Sequence, residues 1–304
     1  MATLSFRKSA WFLVRGLFCA LCCFALMASP ANAAYPVRVP LEGGRTLEMA
    51  RKPHRIVVLG PTLYAYMLVD LGAASRVVGL AHSADNPREL HAVPSVGQSL
   101  SPDLERIVSL SPDLVVGGTD AVFAQLSALS IACFTLGPQK QSLTGSQDVF
   151  SLLRVLALLV DGDTQAAERL IQKTQTEMSQ VETALAAQKK ETVAVLYAGP
   201  RGNLFAAGAE TPEHELISRS AGQNVFSHLR RHKPVSAEEL LRLQPGVILI
   251  DENQRAYLTV QPALHHLSAL SRGRVFGINS AVHGSSRLGQ ALKMYASRIH
   301  SRPF

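Results

Sequence analysis

From residue 55 onward the apolar positions fall into short uninterrupted runs, separated by stretches in which apolar residues recur at helical spacing. Residues 55–60, 77–80, 114–116, 133–136, 192–197, 204–208, 247–249 and 274–278 read as strands covered on both faces. Between them, residues 62–71, 121–127, 212–220, 262–270 and 287–300 carry helix patterns, the first ended by Gly72. Residues 36–49 alternate around Gly43-Gly44 and predict a peripheral hairpin. Such alternation of strand and helix predicts mainly parallel sheets with helices on both faces.

The pattern changes between residues 145 and 190, where no strand signal remains. Residues 148–159 and 164–188 read as helices on either side of Asp161-Gly162-Asp163. At ~1.5 Å per residue the second would span roughly 37 Å, the width of a small domain. The chain therefore divides into an N-terminal α/β lobe (34–145), a helical linker (146–190) and a C-terminal α/β lobe (191–304). The expected fold is α/β, with two lobes of mainly parallel sheet joined by a long spine helix and a ligand cleft between them.

One segment occurs twice. Residues 101–116 match residues 236–249, pairing Glu105 with Glu238, Ile107-Val108 with Leu240-Leu241, Leu110 with Leu243 and Pro112 with Pro245. Each copy reads as a short helix capped by Asp103 or Ser236, a proline stop, and a buried strand. A glutamate in a first helical turn is favoured by the helix dipole alone, so Glu105 and Glu238 have a purely local explanation. A duplicated unit also predicts two similar lobes, with the two acids at equivalent places.

Ahead of the lobes, Arg7, Lys8 and Arg15 precede or interrupt an apolar stretch, and Ala31-Asn32-Ala33 supplies a small-x-small cleavage site. Residues 1–33 thus read as a secretory signal and predict a periplasmic protein; a membrane-spanning helix or a lipid anchor at Cys19, Cys22 or Cys23 is the weaker alternative. Cleavage would remove those three cysteines and Trp11, leaving Cys133 as a single thiol with no partner for an internal disulfide. Losing three basic residues takes the formal charge from +7 to +4, too diffuse to indicate nucleic acid. No nucleophile elbow, phosphate loop or dinucleotide fingerprint is present, which argues against an enzyme. Neither does any His, Cys or carboxylate cluster have zinc or iron spacing.

Four stretches carry a family resemblance: Lys52-Pro-His-Arg-Ile-Val-Val-Leu-Gly60, Leu71-Gly-Ala-Ala-Ser-Arg-Val-Val-Gly79, residues 104–116, and Ala221-Gly-Gln-Asn-Val-Phe226. They resemble the periplasmic substrate-binding proteins of ABC importers for ferric siderophores, haem and vitamin B12, over essentially the whole chain after the signal. The resemblance implies a preformed metal chelate held between lobes that move little, and delivery to an inner-membrane ABC permease with its ATPase. It further implies that one acid on each lobe, Glu105 and Glu238, docks on the permease. No resident cofactor is expected, and a monomer is.

Ligand identity is less marked. Gln98 stands where haem-binding relatives carry a tyrosine after Val-Gly, and the tryptophans that often flank B12 are missing after the signal. Ferric siderophore is the first expectation, haem the second, corrinoid the third; a bare transition-metal ion and a sensor without a permease remain alternatives. Candidate contacts are Tyr64, Tyr66, His82, Gln98, Tyr197, Arg201, His232, His283 and Arg287, most of them at or after strand ends, where open α/β sheets bind ligands. Arg201 could hold a carboxylate or catecholate in bidentate fashion. Each has a plainer alternative: a core-facing tyrosine, a solvated loop arginine, a structural histidine.

Overall fold

The computed structural model separates residues 1–34 from a second compact unit, residues 35–304. Within that unit it describes residues 35–41, 44–136, 143–199 and 203–304. The expected signal segment and Arg201 lie outside the described residues.

The chain enters through a hairpin in which β1 (Val37–Pro40) pairs antiparallel with β2 (Thr46–Met49). The N-terminal sheet has the order β4-β3-β7-β8, from β3 (Ile56–Gly60), β4 (Val77–Leu80), β7 (Leu114–Gly117) and β8 (Ala132–Phe134), all parallel. Its helices are α1 (Leu63–Asp70), α2 (Leu104–Ser109) and α3 (Asp120–Ala128). A two-residue pair, β5 (Gly97–Gln98) and β6 (Ser101–Pro102), precedes α2.

The linker is α4 (Ser146–Asp161), ended by Gly162 in the left-handed conformation, and the spine α5 (Gln165–Leu185). The spine's buried residues, Ala167, Ile171, Thr174, Met178, Val181 and Leu185, step by four and three and so form one stripe. Its 21 residues span about 32 Å at ~1.5 Å each.

The C-terminal sheet contains β9 (Glu191–Ala198), β10 (Leu204–Ala207), β11 (Gly222–Asn224), β12 (His232–Val235), β13 (Val247–Asp251) and β14 (Val275–Ile278). Here the expectation of parallel pairing holds for β9 with β11 and β13, and for β13 with β14. Strand β10 departs from it: it folds back antiparallel on β9 and pairs antiparallel with β12, because too few residues separate it from β9 for a crossover. The helices are α6 (Pro212–Arg219), α7 (Ala237–Leu243), α8 (Arg255–Val260), α9 (Ser268–Ser271) and α10 (Leu288–His300), the last packed on α5. The single helix expected at 262–270 is instead a 3-10 turn at Pro262–Leu264 followed by α9, while α8 had no clear apolar period.

The duplication is geometric as well as sequential. Asp103 accepts a hydrogen bond from the Arg106 amide and Ser236 from the Glu239 amide, capping α2 and α7 at matched positions. Both helices end on a left-handed non-glycine residue before the matched proline, Ser111 at φ 47° and Gln244 at φ 41°. Ile107 and Leu240 anchor the two helices as fully buried residues. Cys133 lies in β8, its thiol pushed up to about 12 by burial. Among the described residues no helix is long and apolar enough to cross a membrane.

Candidate functional site

Parallel strands deliver their carboxyl ends to one edge of a sheet, and here those ends build a cleft of about 690 Å³. From the N-terminal lobe come Pro61 after β3, Thr119 and Asp120 after β7, and Thr135 and Leu136 after β8. Pro212 and Glu213 after β10, His232 opening β12, and Ser280 and His283 after β14 form the opposite wall. On the N-terminal side close approach requires glycine: Gly117 has φ +76°, and a Cβ there would clash with the Gly60 carbonyl.

Two helices point their N-termini at this space, and each answers its own dipole with an acid in the first turn. Thr119 caps α3, which begins with Asp120; Thr211 caps α6, whose first two residues are Pro212 and Glu213. Glu213 is only 5% exposed. Its Oε1 accepts from the Tyr197 hydroxyl at 2.6 Å and faces His283 Nδ1 at 3.5 Å. Its Oε2 makes no hydrogen bond among the described residues and stands 3.5 Å from His232 Nε2.

Burial alone would raise the Glu213 carboxyl, but the facing imidazoles of His232 and His283 more than offset it and hold the group well below the usual carboxylate range. The same contact acts on His232, where burial lowers the imidazole but Glu213 leaves it raised overall. Burial, then the Glu213 charge, puts the Tyr197 phenol well above its ordinary value, so Tyr197 is a neutral donor. Behind the cluster Tyr295 stacks edge-on to His283, with ring centroids 5.2 Å apart. Asp251 holds the 280–283 turn by accepting from Ser280 N at 3.0 Å and Ser280 Oγ at 2.8 Å.

Of the candidate residues, Tyr64, His232 and His283 line the cleft and Tyr197 braces it. Tyr64 is fully buried and its hydroxyl accepts from the Leu136 amide at 2.8 Å, which makes it a wall. His82 and Gln98 are exposed and are not among the lining residues. Tyr66 and Arg287 border a separate space of about 350 Å³. There the guanidinium lies 4.8 Å over the Tyr66 ring and is held by Asp70, with Arg287 Nη2 to Asp70 Oδ1 at 2.8 Å. Arg287 is therefore committed to a bond across the lobes.

Glu213, Thr119, Asp120 and Ser280 were not anticipated. Thr211-Pro212 is a legible helix start at a strand's end, and that was the available pointer to Glu213. Glu105 and Glu238 are each the second residue of matched helices, both exposed and without an ion pair or hydrogen bond among the described residues.

The profile of one family, described as periplasmic binding protein, matches residues 56–282. An uncharacterized ABC transporter substrate-binding lipoprotein of Bacillus subtilis is 19% identical over 284 residues, covering 91% of this chain and 90% of the relative. A vitamin B12-binding protein of Salmonella paratyphi A is 27% identical over 201 residues, 64% of this chain and 71% of the relative. A crystal structure from the ABC-type Fe3+-hydroxamate transport system of Saccharomonospora viridis superposes with a TM-score of 0.71 at 22% identity, over 87% of this chain and 99% of that one.

Proposed function

The chain belongs to the periplasmic binding protein family, a family of substrate-binding transport proteins and not of enzymes; from that premise we propose that it captures a metal chelate in its inter-lobe cleft and delivers it to an ABC permease. The observation that carries this reading is the cleft itself, about 690 Å³, with walls drawn from both halves of the chain. That volume lies within the roughly 300–1,000 Å³ of small-molecule sites.

Ferric siderophore, haem and corrinoid are the chelates to test. The hydroxamate-transport neighbour supports the fold, and the vitamin B12-binding relative lends weight to a corrinoid. A bare ion is less well supported, since among the described residues no group of three His, Cys, Asp or Glu is arranged to hold one.

Delivery would use Glu105 and Glu238, whose matched helix positions and solvent exposure suit docking on basic groups of a permease. Exposed charges of this kind steer and orient association. Reversing both to lysine is expected to abolish uptake while leaving chelate binding unchanged; normal uptake by the double variant would end that assignment. The chelate is identified by native mass spectrometry of residues 34–304 with haemin, cyanocobalamin, ferrichrome, ferric enterobactin and transition-metal ions. A one-to-one adduct with a single chelate supports the reading, and adducts with bare ions alone would replace it.

A further inference from the structure

The C-terminal wall of the cleft contains one imidazole that is both accessible and braced. His232 is 37% exposed in its side chain, whereas Glu213 behind it is 7% and His283 beyond is 2%. Nε2 of His232 faces Glu213 Oε2, and Nδ1 makes no hydrogen bond among the described residues. The ring is further fixed by Tyr197, edge-on with centroids 5.3 Å apart. Tyr197 and His283 both address Glu213 Oε1, so Oε2 is left to His232. A carboxylate holding one imidazole nitrogen orients the ring and strengthens what the other nitrogen can do.

Resting on the reading of the cleft as the ligand site, we propose that His232 is its specificity-determining donor: the Glu213 carboxylate faces one nitrogen at 3.5 Å as its counter-charge, and the other nitrogen gives a hydrogen bond to an oxygen acceptor on the bound chelate. With a carboxylate facing one nitrogen and an acceptor on the ligand facing the other, the imidazolium is the form that suits both sides of the ring. Above the imidazole's own titration, capture of an oxygen-rich chelate is then accompanied by uptake of one proton, and release is favoured as pH rises through that range. A ligand without an acceptor at that wall gains nothing from His232.

The groups around this imidazole are accounted for. Tyr197 on β9 is a neutral donor to Glu213, and burial first, then the charges of Glu213 and of Asp251 at the end of β13, raise the phenols of Tyr197 and Tyr295. Helix α6 contributes Glu213 and, on its other side, His214, which contacts Asn224. His283 follows β14, with Tyr295 of α10 against it. On its own segment, Arg230 is paired with Glu210, and Lys233 is the next strand residue, exposed. Asp120 lines the opposite wall.

The test has two arms. In the ligand-free protein, the His232 imidazole resonance, assigned by its loss in His232→Gln, is expected to titrate above the ordinary histidine range and to fall in Glu213→Gln. Ordinary titration in both proteins would overturn the proposal. With each of haemin, cyanocobalamin, ferrichrome and ferric enterobactin, dissociation constants are measured from pH 6 to 8.5. For a chelate that binds, affinity is expected to weaken about tenfold per pH unit above the imidazole's titration. His232→Gln should flatten that dependence, and Glu213→Gln should move it to lower pH. A pH-independent dissociation constant in the wild type overturns the inference while leaving the functional reading intact. Failure of all four chelates to bind counts against the functional reading, and the ligand-free arm still decides the brace on His232.

Discussion

At the scale of single residues, Glu213 concentrates the consequences. Its depressed carboxyl contributes stability that is present above the unfolded value of about 4.3 and is lost as pH falls through the folded value. His232 works in the opposite sense: its raised imidazole contributes stability fully present below about 6.5, lost as pH rises through the folded value. The two windows overlap in mildly acidic solution, where the pair is fully formed. Glu213→Gln is expected to cost about 2 kcal/mol there, the loss of hydrogen bonds to a buried charge, and the deficit should shrink at strongly acid pH; urea titrations at several pH values measure it. The acid was not legible in the sequence, because its partners His232 and His283 lie 19 and 70 residues away and only the fold assembles them. In the sequence His232 is marked by its basic segment, which leads into the second copy of the duplicated helix, and His283 by its place just after a strand. Arg287 was picked out for the same reason as His283, but nothing local announces that Asp70 will claim it.

At the scale of elements, the two copies of the helix–strand unit can be compared directly. Ser111 and Gln244 occupy the same left-handed position, where a side chain costs roughly 1–2 kcal/mol that glycine avoids. Ser111→Gly is therefore expected to stabilise by about 0.5 kcal/mol, once the larger chain entropy of glycine is counted. Gln244→Gly should destabilise instead. Its side chain accepts from the Ser268 amide at 3.0 Å and donates to the His266 carbonyl at 3.2 Å, bonds a glycine would lose. Equal effects in thermal unfolding would contradict this account. Gly117→Ala should cost about 2 kcal/mol or more, because it combines a left-handed backbone with a clash against Gly60. Most of these elements were legible, since buried strands and capped helices carry their signals locally. Residues 255–271 were not, because their short turns are set by packing of Leu258, Leu264 and Leu267 and not by periodicity.

At the scale of the molecule, the lobes are tied by more than the spine. Asp70 of α1 receives both Ser286 Oγ, at 2.6 Å, and the Arg287 guanidinium. Ser146 at the head of α4 gives its amide and hydroxyl to Glu215 of α6. Thr174 of the spine donates to the Ser286 carbonyl at 3.1 Å. Asp70→Asn combined with Arg287→Ala is expected to broaden the distance distribution between spin labels placed on the two lobes, and to speed amide exchange in α1 and around residue 286. An unchanged distribution would mean that α4, α5 and α10 suffice to fix the lobes. The long spine was readable from a run of good helix formers with no strand signal; these cross-ties were not, since each joins residues more than 65 positions apart.

The state of Cys133 bears on how such a molecule can be handled. Its thiol is buried in β8 and pushed up to about 12, so at neutral pH almost none is present as the reactive thiolate. Once the first 33 residues are absent it is the sole sulfhydryl in the chain, and the lone tryptophan is absent with them. A cysteine introduced at Ser280, on the cleft wall, would then take up an environment-sensitive fluorophore alone, against a background free of indole emission. The native scaffold is in effect already prepared as an optical reporter of whatever enters the cleft.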